Sequence, residues 1–157
     1  NPDKVLKNIL VARAFNSDHQ MLLLDRVAEL IKEGEPIKLM IIDSLTAHFR
    51  AEFSGRGQLA DRQQRLNRYL HNLMKIAEMN NLAVYVTNQV MSDPAQMFGD
   101  PTKAIGGNIV GHACTYRMYL RRGKKDSRVC KLIDSPNLPD NETVFMIETG
   151  GLRDIEI

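Results

Sequence analysis

Two apolar runs constrain the fold most, LMII within Lys38–Asp43 and LAVYV within Leu82–Thr87, because neither run offers a polar face to solvent. Such runs are typical of strands that are buried on both sides in a parallel sheet. A long helical pattern from about Gln58 to Asn80 lies between them, and neighbouring parallel strands need a crossover of that kind. The sequence therefore predicts an α/β fold with a mainly parallel sheet and crossover helices.

A β-rich segment near the start, NILVARAF at 8–15, predicts one more strand before a first helix. That helix is expected to begin at Ser17, since Ser17 and Gln20 have the spacing of a capping box, and to end at Gly34. Apolar residues at helical spacing predict the buried stripes of both helices. They are Leu23, Val27, Leu30 and Ile31 in the first helix, and Leu59, Leu66, Leu70, Leu73 and Ala77 in the second.

The pattern changes after Thr115. Apolar and polar residues alternate in TYRMYLRRGKKDSRVCKLID about a turn near Gly123, which predicts an antiparallel hairpin that extends the sheet. TVFMIE at 143–148 predicts a further strand. A chain of 157 residues, 43% of them hydrophobic, is expected to form one domain over residues 1–157.

Composition narrows the classes of partner. The formal net charge is only +2, so nucleic-acid binding would depend on local clusters of Lys and Arg. Cys114 and Cys130 are too few for a disulfide framework or a metal cluster, and we expect reduced thiols in a cytoplasmic protein. No run approaches the ~20 apolar residues of a membrane helix, and no signal peptide is recognisable, so no membrane partner is expected.

Three connections exceed what a turn requires. The segments at 50–62 and 90–107 follow the carboxyl ends of predicted parallel strands, where open α/β sheets bind ligands. Loops of that length in compact domains are usually functional. The third connection, at 134–142, contains Pro136 and Pro139 and joins two predicted strands.

Asp43 ends an apolar strand and is followed by hydroxyl residues. A magnesium carboxylate and an ordinary helix cap or turn initiator both explain this pattern. A nucleotide enzyme also needs a GxxxxGK loop to hold phosphates, and the chain contains no such motif. The residues alone therefore leave two possibilities, a protein that is not an NTPase or the carboxyl-terminal part of one.

Five blocks stand in order along the chain: VARAFNSDHQ, IIDSLTAHFRAEFSGRGQLADRQQRLNRYL, VTNQV, GDPTKAIGGNIVGHA and LIDSPNLPDNETVF. In this order and at these spacings they resemble the recombinase family of archaeal RadA and its eukaryotic strand-exchange relatives. The resemblance implies a RecA-like ATPase core that forms filaments or rings on single-stranded DNA, binds ATP between protomers and exchanges strands in recombination and repair. It also implies a cytoplasmic, nucleoid-associated archaeal protein.

The resemblance further implies that the phosphate loop and an amino-terminal domain lie upstream of Asn1. The chain by itself is then expected to lack ATPase activity, because that loop supplies most contacts to the β- and γ-phosphates.

The resemblance assigns nucleotide roles to five residues. It implies that Asp43 holds a water of the Mg²⁺ shell. Gln89 would sense the γ-phosphate, and His112 would reach the γ-phosphate of the adjacent protomer's ATP. Asp134 and Pro139 would cap a neighbour's nucleotide, with Asp134 beside a monovalent cation. Without the resemblance, Gln89 is explained as a polar residue at a strand end, a lone histidine such as His112 is more often structural, and Asp134 and Pro139 are turn residues.

The resemblance also assigns DNA contacts. Arginine suits phosphate through its planar fork of donors, and exposed Met or Phe can stack on bases. Asp93 before Pro94 departs from the usual archaeal pattern of a basic residue there, which lowers the positive charge of the second loop. A solvated surface and an exposed edge turn explain the same residues. The positions are Arg50, Arg56 and Arg62 in the first loop, Met91, Met97 and Phe98 in the second, and Arg121 and Lys131 in the hairpin for duplex DNA.

A binding module is the alternative from another class. The resemblance implies a pocket, formed by VARAF and the following helix, for a Phe-x-x-Ala peptide of the next protomer or of a mediator protein. Ala12 and Ala14 are small enough for such a surface, and Met21 and Leu22 would line it. Ordinary core packing explains the same residues, and a paralogue that regulates filaments is a further alternative.

Overall fold

The computed structural model describes residues 1–92 and 102–155, without the side chains of Arg56, Ser92, Thr102 and Lys103. The chain divides into two compact units, Asn1–Val110 and Gly111–Ile157, and each is described by itself. The predicted mixed α/β class is confirmed. The prediction of a single domain stays a prediction.

The first unit contains most of the helices. In chain order its elements are α1 (Pro2–Lys7), α2 (Ser17–Lys32), β1 (Leu39–Ile42), α3 (Ala47–Glu52), a 3-10 turn (Arg56–Gln58), α4 (Leu59–Asn80), β2 (Ala83–Val86), β3 (Val90–Ser92), β4 (Thr102–Ala104) and the start of α5 (Gly107–Ala113). The last three residues of α5 belong to the second unit. Within the described ranges, no helix is both long and apolar enough to span a bilayer.

Strands β1 and β2 pair in parallel, with Leu39 opposite Ala83 and Ile42 opposite Val86. The predicted parallel pair with a crossover helix is confirmed. The prediction that both faces are buried is wrong for this chain, because Leu39 and Ile41 are 55% and 62% exposed. Alternate residues of a strand point to opposite faces, and the burial alternates in the same way. One face of the pair is therefore covered within the described residues and the other is open.

The predicted strand at 8–15 is wrong. Helix α1, capped by Asn1 with Pro2 in its first turn, ends at Lys7, and residues 9–15 have no regular secondary structure. Val11 and Phe15 in this segment are 88% and 73% exposed. A strand needs a neighbour that accepts its backbone hydrogen bonds, and β-propensity without such a partner does not produce one.

Helix α2 begins as predicted but with another cap. Asn16 is the N-cap, and its Oδ1 accepts a hydrogen bond from the backbone N–H of His19 at 2.7 Å. Ser17 cannot serve because its hydroxyl donates to Glu52 on α3, so the predicted capping box is wrong. Gly34, with φ of 104°, follows the helix end as predicted. The predicted stripe is half-buried, and Leu24 is the fully buried leucine of this helix.

Helix α4 supplies much of the core of the first unit. Leu66, Leu70 and Leu73 are buried as predicted, Ala77 is half-buried, and Leu59 is 45% exposed, which contradicts the prediction. Tyr69 takes a core position that the leucine pattern did not identify, and its ring lies 5.8 Å from that of buried Phe49. Burial raises the pKa of the Tyr69 phenol.

The two long connections after the parallel strands contain regular structure. Helix α3, the 3-10 turn and the start of α4 occupy most of 50–62, so a continuous loop there is wrong. At the ends of 90–107, β3 and β4 pair as an antiparallel ribbon with Met91 opposite Lys103. Pairing of these ends is a feature that loop length alone does not predict.

The second unit is an antiparallel sheet in the order β5 (Arg117–Arg122), β6 (Arg128–Asp134), β7 (Asn141–Glu148) and β8 (Gly151–Asp154). The hairpin about Gly123 and the strand at 143–148 are confirmed, and β8 was not predicted. The hairpin belongs to this separate sheet instead of extending the parallel pair, because successive hairpins satisfy the strands locally. At the turn, a Cβ on Gly123 would lie 2.2 Å from Ser127 Oγ, so any other residue there would displace the Ser127 hydroxyl.

Candidate functional site

Asp43 lies at the carboxyl edge of the parallel pair, where the ends of β1 and β2 meet. Its Oδ1 accepts a hydrogen bond from Thr87 Oγ1 at 2.7 Å, and the residue remains exposed. Backbone bonds continue past the strands, from Thr87 N–H to Ile42 O at 3.0 Å and from Leu45 N–H to Thr87 O at 2.9 Å. The carboxylate is therefore held in place and open to solvent.

Asn88 ties this edge to the segment that follows it. Thr46 Oγ1 donates to Asn88 Oδ1 at 2.7 Å, and Asn88 Nδ2 donates to Ile105 O at 2.6 Å. The backbone N–H of Gln89 donates to the same Oδ1 at 3.0 Å, and Gln89 O accepts from Ile105 N–H at 2.9 Å. This network fixes the backbone of Gln89, which is exposed. The structure thus brings Asp43 and Gln89 to one edge.

Thr87 and Asn88 are functional candidates that the sequence reasoning did not identify. The available signal was the polar run TNQ directly after the apolar strand LAVYV.

The donors at this edge suit a hard cation. Asp43 offers a carboxylate, Thr87 offers a hydroxyl, and the buried Ser44 Oγ has no hydrogen-bond partner within the described residues. Those same residues contain no group of three His, Cys, Asp or Glu that could enclose a metal. Mg²⁺ prefers oxygen, keeps several waters and takes few protein ligands, so one exposed carboxylate with the Thr87 hydroxyl beside it fits Mg²⁺ held through water.

His112 and Asp134 lie in the second unit. His112 is exposed in the last turn of α5, and Asp134 ends β6. Arg117 donates from Nε to Asp134 Oδ2 at 2.9 Å, and its Nη2 lies 2.8 Å from the same oxygen. Pro139 is exposed in the connection to β7. Arg117 was not identified from the sequence, because its partner is seventeen residues away on another strand.

Of the three arginines predicted to contact DNA in the first loop, Arg50 lies on α3, and Arg62 lies on α4, within the helix predicted from about Gln58. Arg50 is exposed in the last turn of α3. Arg62 is half-buried in the first turn of α4, and its Nη1 donates to Phe53 O at 3.5 Å. Arg56 lies in the 3-10 turn, and its side chain is outside the described residues. Residues 53–55, between α3 and the 3-10 turn, have no regular secondary structure.

Among the residues predicted to contact DNA in the second loop, Met91 lies on β3 and is 51% exposed. Met97 and Phe98 lie outside the described residues. A role for these side chains against bases stays a prediction.

The hairpin positions face solvent. Arg121 pairs with Glu142 through Nη2 at 3.4 Å, and Lys131 is exposed opposite Tyr119. A depression of about 290 Å³ lies on this sheet. Its lining consists of Leu120, Arg121, Arg122, Arg128, Phe145 and Ile147.

The predicted peptide surface is partly exposed. Ala12 is exposed and Ala14 is half-buried in the segment without regular structure. Met21 is half-buried and Leu22 is 64% exposed on α2. The strand expected beside them is absent, so their assembly into a pocket stays a prediction.

The chain is similar to known proteins over almost its whole length. The family profile described as Rad51 matches residues 1–155. A protein named DNA repair and recombination protein RadA from Methanocorpusculum labreanum is 58% identical over 156 residues, 97% of this chain and 47% of that protein. The protein of the same name from Halobacterium salinarum is 55% identical over 155 residues, 96% of this chain and 45% of that protein. The chain thus spans about half the length of the curated relatives it matches.

Proposed function

The chain belongs to the Rad51 family, and from that premise we propose that it is the carboxyl-terminal part of a DNA-dependent ATPase that acts in homologous recombination and DNA repair. The supporting observation is the edge formed by Asp43, Thr87 and Gln89, where an exposed carboxylate and an exposed amide follow two paired parallel strands. Ligands of open α/β sheets bind at such an edge.

At this edge Asp43 would hold a water of the Mg²⁺ that accompanies ATP, and Thr87 would keep the carboxylate in one orientation. Bound Mg²⁺ neutralises developing charge on the transferred phosphate. Gln89, whose backbone Asn88 fixes, would contact the γ-phosphate and pass its state to the β3–β4 ribbon. The polar network at the strand ends supports this role because it links the backbone of Gln89 to Asn88 and Ile105, so a movement of Gln89 would also move the segment that follows.

Residues of the second unit would act on a neighbouring protomer's ATP. His112 would reach the γ-phosphate, and Asp134 and Pro139 would cover the nucleotide, with a monovalent cation at Asp134. The exposure of His112 and Pro139 supports a role toward another molecule. Self-association into filaments or rings then joins two incomplete half-sites into one.

Single-stranded DNA would be held by phosphate contacts from Arg50, Arg56 and Arg62 and by bases against Met91 and Phe98. The exposure of Arg50 and Met91 supports this assignment. Duplex DNA would lie along the basic hairpin.

Arg121 and Lys131 would contribute the duplex contacts. Both are exposed on the antiparallel sheet, near the turn that contains Lys124 and Lys125.

A Phe-x-x-Ala peptide from the next protomer or a mediator would dock on Ala12, Ala14, Met21 and Leu22. The exposed apolar surface of Leu22 supports this contact. The protein would work at the nucleoid in the cytoplasm.

The test mixes two variants of the intact protein. Asp43→Asn impairs a protomer's own nucleotide edge, and His112→Ala impairs its action on a neighbour. We expect each variant to lose DNA-stimulated ATP hydrolysis, and the mixture to recover part of it at junctions where a sound His112 faces a sound Asp43. Activity no greater than the sum of the separate variants would contradict a shared site.

A further inference from the structure

Arg117 contacts Asp134 through two of its guanidinium nitrogens. Its Nε and Nη2 both reach Asp134 Oδ2, at 2.9 and 2.8 Å. The two contacts converge on one oxygen, so Oδ1 of the same carboxylate takes no part in this pair. Arg117 and Asp134 are 36% and 46% exposed, so the pair borders solvent without being free in it.

The same guanidinium lies against the end of α5. A Cβ on Gly111 would lie 3.2 Å from Arg117 Nη1, closer than ordinary contact, so glycine leaves room for the arginine there. Burial raises the pKa of the Cys114 thiol, and the charge of Arg117 opposes part of that rise. Arg117 therefore lies against Gly111 and acts through its charge on Cys114, which stand on either side of His112 in the sequence.

A bulge in the sheet creates the pair. Met118 stands opposite Leu132, so regular pairing would place Arg117 opposite Ile133 and would turn Asp134 to the other face. The register shifts between Arg117 and Met118, and Arg117 stands opposite Asp134 instead. Bulges re-aim side chains, often beside active sites.

We propose that Arg117 is a positioning residue that joins the last turn of α5 to Asp134, so that His112 and Asp134 Oδ1 are presented together to one phosphate-bearing nucleotide and its cation. This inference rests on the proposed function. It adds Arg117 as the residue that sets the relative placement of His112 and Asp134, the two side chains proposed to act on a neighbouring protomer's ATP. Arg117 also compensates the charge of Asp134, which would otherwise repel the phosphates.

An ordinary exposed ion pair contributes about 0 to 1 kcal/mol of stability and no orientation. A positioning role differs from it because loss of Arg117 should change nucleotide binding and the local motion of α5 without a matching loss of stability.

The experiment uses the intact protein with single-stranded DNA. The variants are Arg117→Gln, Arg117→Lys, Gly111→Ala, Asp134→Asn and the double variant Arg117→Gln/Asp134→Asn. Arg26→Gln is the matched control, because Arg26 also pairs with carboxylates on the surface, at 3.0 Å from Glu29. The measurements are the affinity for a fluorescent ATP analogue, thermal unfolding, and hydrogen exchange of residues 111–114 without nucleotide.

We expect Arg117→Gln to weaken binding of the analogue about 10-fold, as loss of a residue that orients a ligand group does. Arg117→Lys should recover part of this, since an ammonium keeps the charge but not the planar fork. Gly111→Ala, whose Cβ requires the guanidinium to shift by a few tenths of an ångström and leaves both partners intact, should weaken binding less. The double variant should bind no worse than Asp134→Asn, because the two residues act as one unit.

Without nucleotide, exchange at 111–114 should quicken in Arg117→Gln and stay unchanged in Arg26→Gln. Wild-type affinity in both Arg117→Gln and Gly111→Ala, or additive losses in the double variant, would overturn the proposal. If Arg117→Gln does not fold, Gly111→Ala and Arg117→Lys decide. Unchanged binding in Asp43→Asn and Asp134→Asn would instead overturn the proposed function itself.

Discussion

Asp43 and Asp134 are two carboxylates at strand ends with different partners. Asp43 accepts a hydrogen bond from the neutral hydroxyl of Thr87, and Asp134 accepts two contacts from the guanidinium of Arg117. A hydroxyl orients a carboxylate and leaves its charge, whereas a guanidinium orients it and compensates the charge. The first arrangement leaves a negative charge that can attract a divalent cation, and the second leaves a carboxylate whose charge is already balanced.

The strand pairing beside Asp43 also differs from the strand pairing beside Asp134. Asp43 follows a regular parallel pair, in which the register of β1 and β2 continues to the last residue. Asp134 depends on a register shift beside Arg117. The first carboxylate is placed by ordinary strand geometry, and the second by an irregularity and its ion pair.

The largest effect is expected at the uncompensated carboxylate. Asp43→Asn in the intact protein should lower DNA-stimulated ATP hydrolysis by at least about 100-fold, because an amide does not attract the Mg²⁺ shell as a carboxylate does. Steady-state hydrolysis at saturating ATP measures this. Asp25→Asn, an exposed change on α2, is the control and should keep wild-type activity. Equal losses in both variants would show a general defect.

A smaller effect is expected from the hydroxyl that orients Asp43. Thr87→Val should raise the Mg²⁺ concentration needed for half-maximal hydrolysis about 10-fold, because the carboxylate loses its hydrogen-bond donor. Thr87→Ser keeps the donor and should restore most of the wild-type dependence. If Thr87→Ser and Thr87→Val behave alike, the hydroxyl does not orient Asp43.

The network beside it should contribute to stability. Asn88→Ala removes side-chain bonds with Thr46 and Ile105, and we expect the free energy of unfolding of the intact protein to fall by about 1 kcal/mol. Denaturant titration measures the change. Thr46→Val in the same assay should lose less, since it leaves the bond from Asn88 to Ile105 in place. A larger loss for Thr46→Val would contradict the central position of Asn88.

The smallest effect is expected at an exposed ion pair on the same sheet as Asp134. Arg121 and Glu142 are 3.4 Å apart and 45% and 51% exposed, so Arg121→Gln should change the free energy of unfolding by less than about 0.5 kcal/mol. Denaturant titration again measures it. A loss above about 1 kcal/mol would show that exposed pairs on this sheet are stronger than solvent screening permits, which would weaken the contrast with Arg117.

Local patterns in the sequence determined most elements. Apolar runs determined the parallel strands, helical spacing determined α2 and α4, and alternation about Gly123 determined the hairpin. The position of Asp43 at a strand end also followed from the sequence, because the apolar run stops there. Each of these features depends on residues that are close in the chain.

Tertiary structure decided which hydrogen bonds and ion pairs form between residues that are far apart in the sequence. Asn16 caps α2 in place of Ser17, because the hydroxyl and the backbone N–H of Ser17 both donate hydrogen bonds to Glu52, 35 residues away. Residues 9–15 did not become a strand because a strand needs a partner that propensity does not supply. The bonds from Thr87 to Asp43 and from Arg117 to Asp134 arise from pairing between separate strands and, for Asp134, from a shift in register. No periodicity encodes such contacts, because their geometry exists only once the strands have paired.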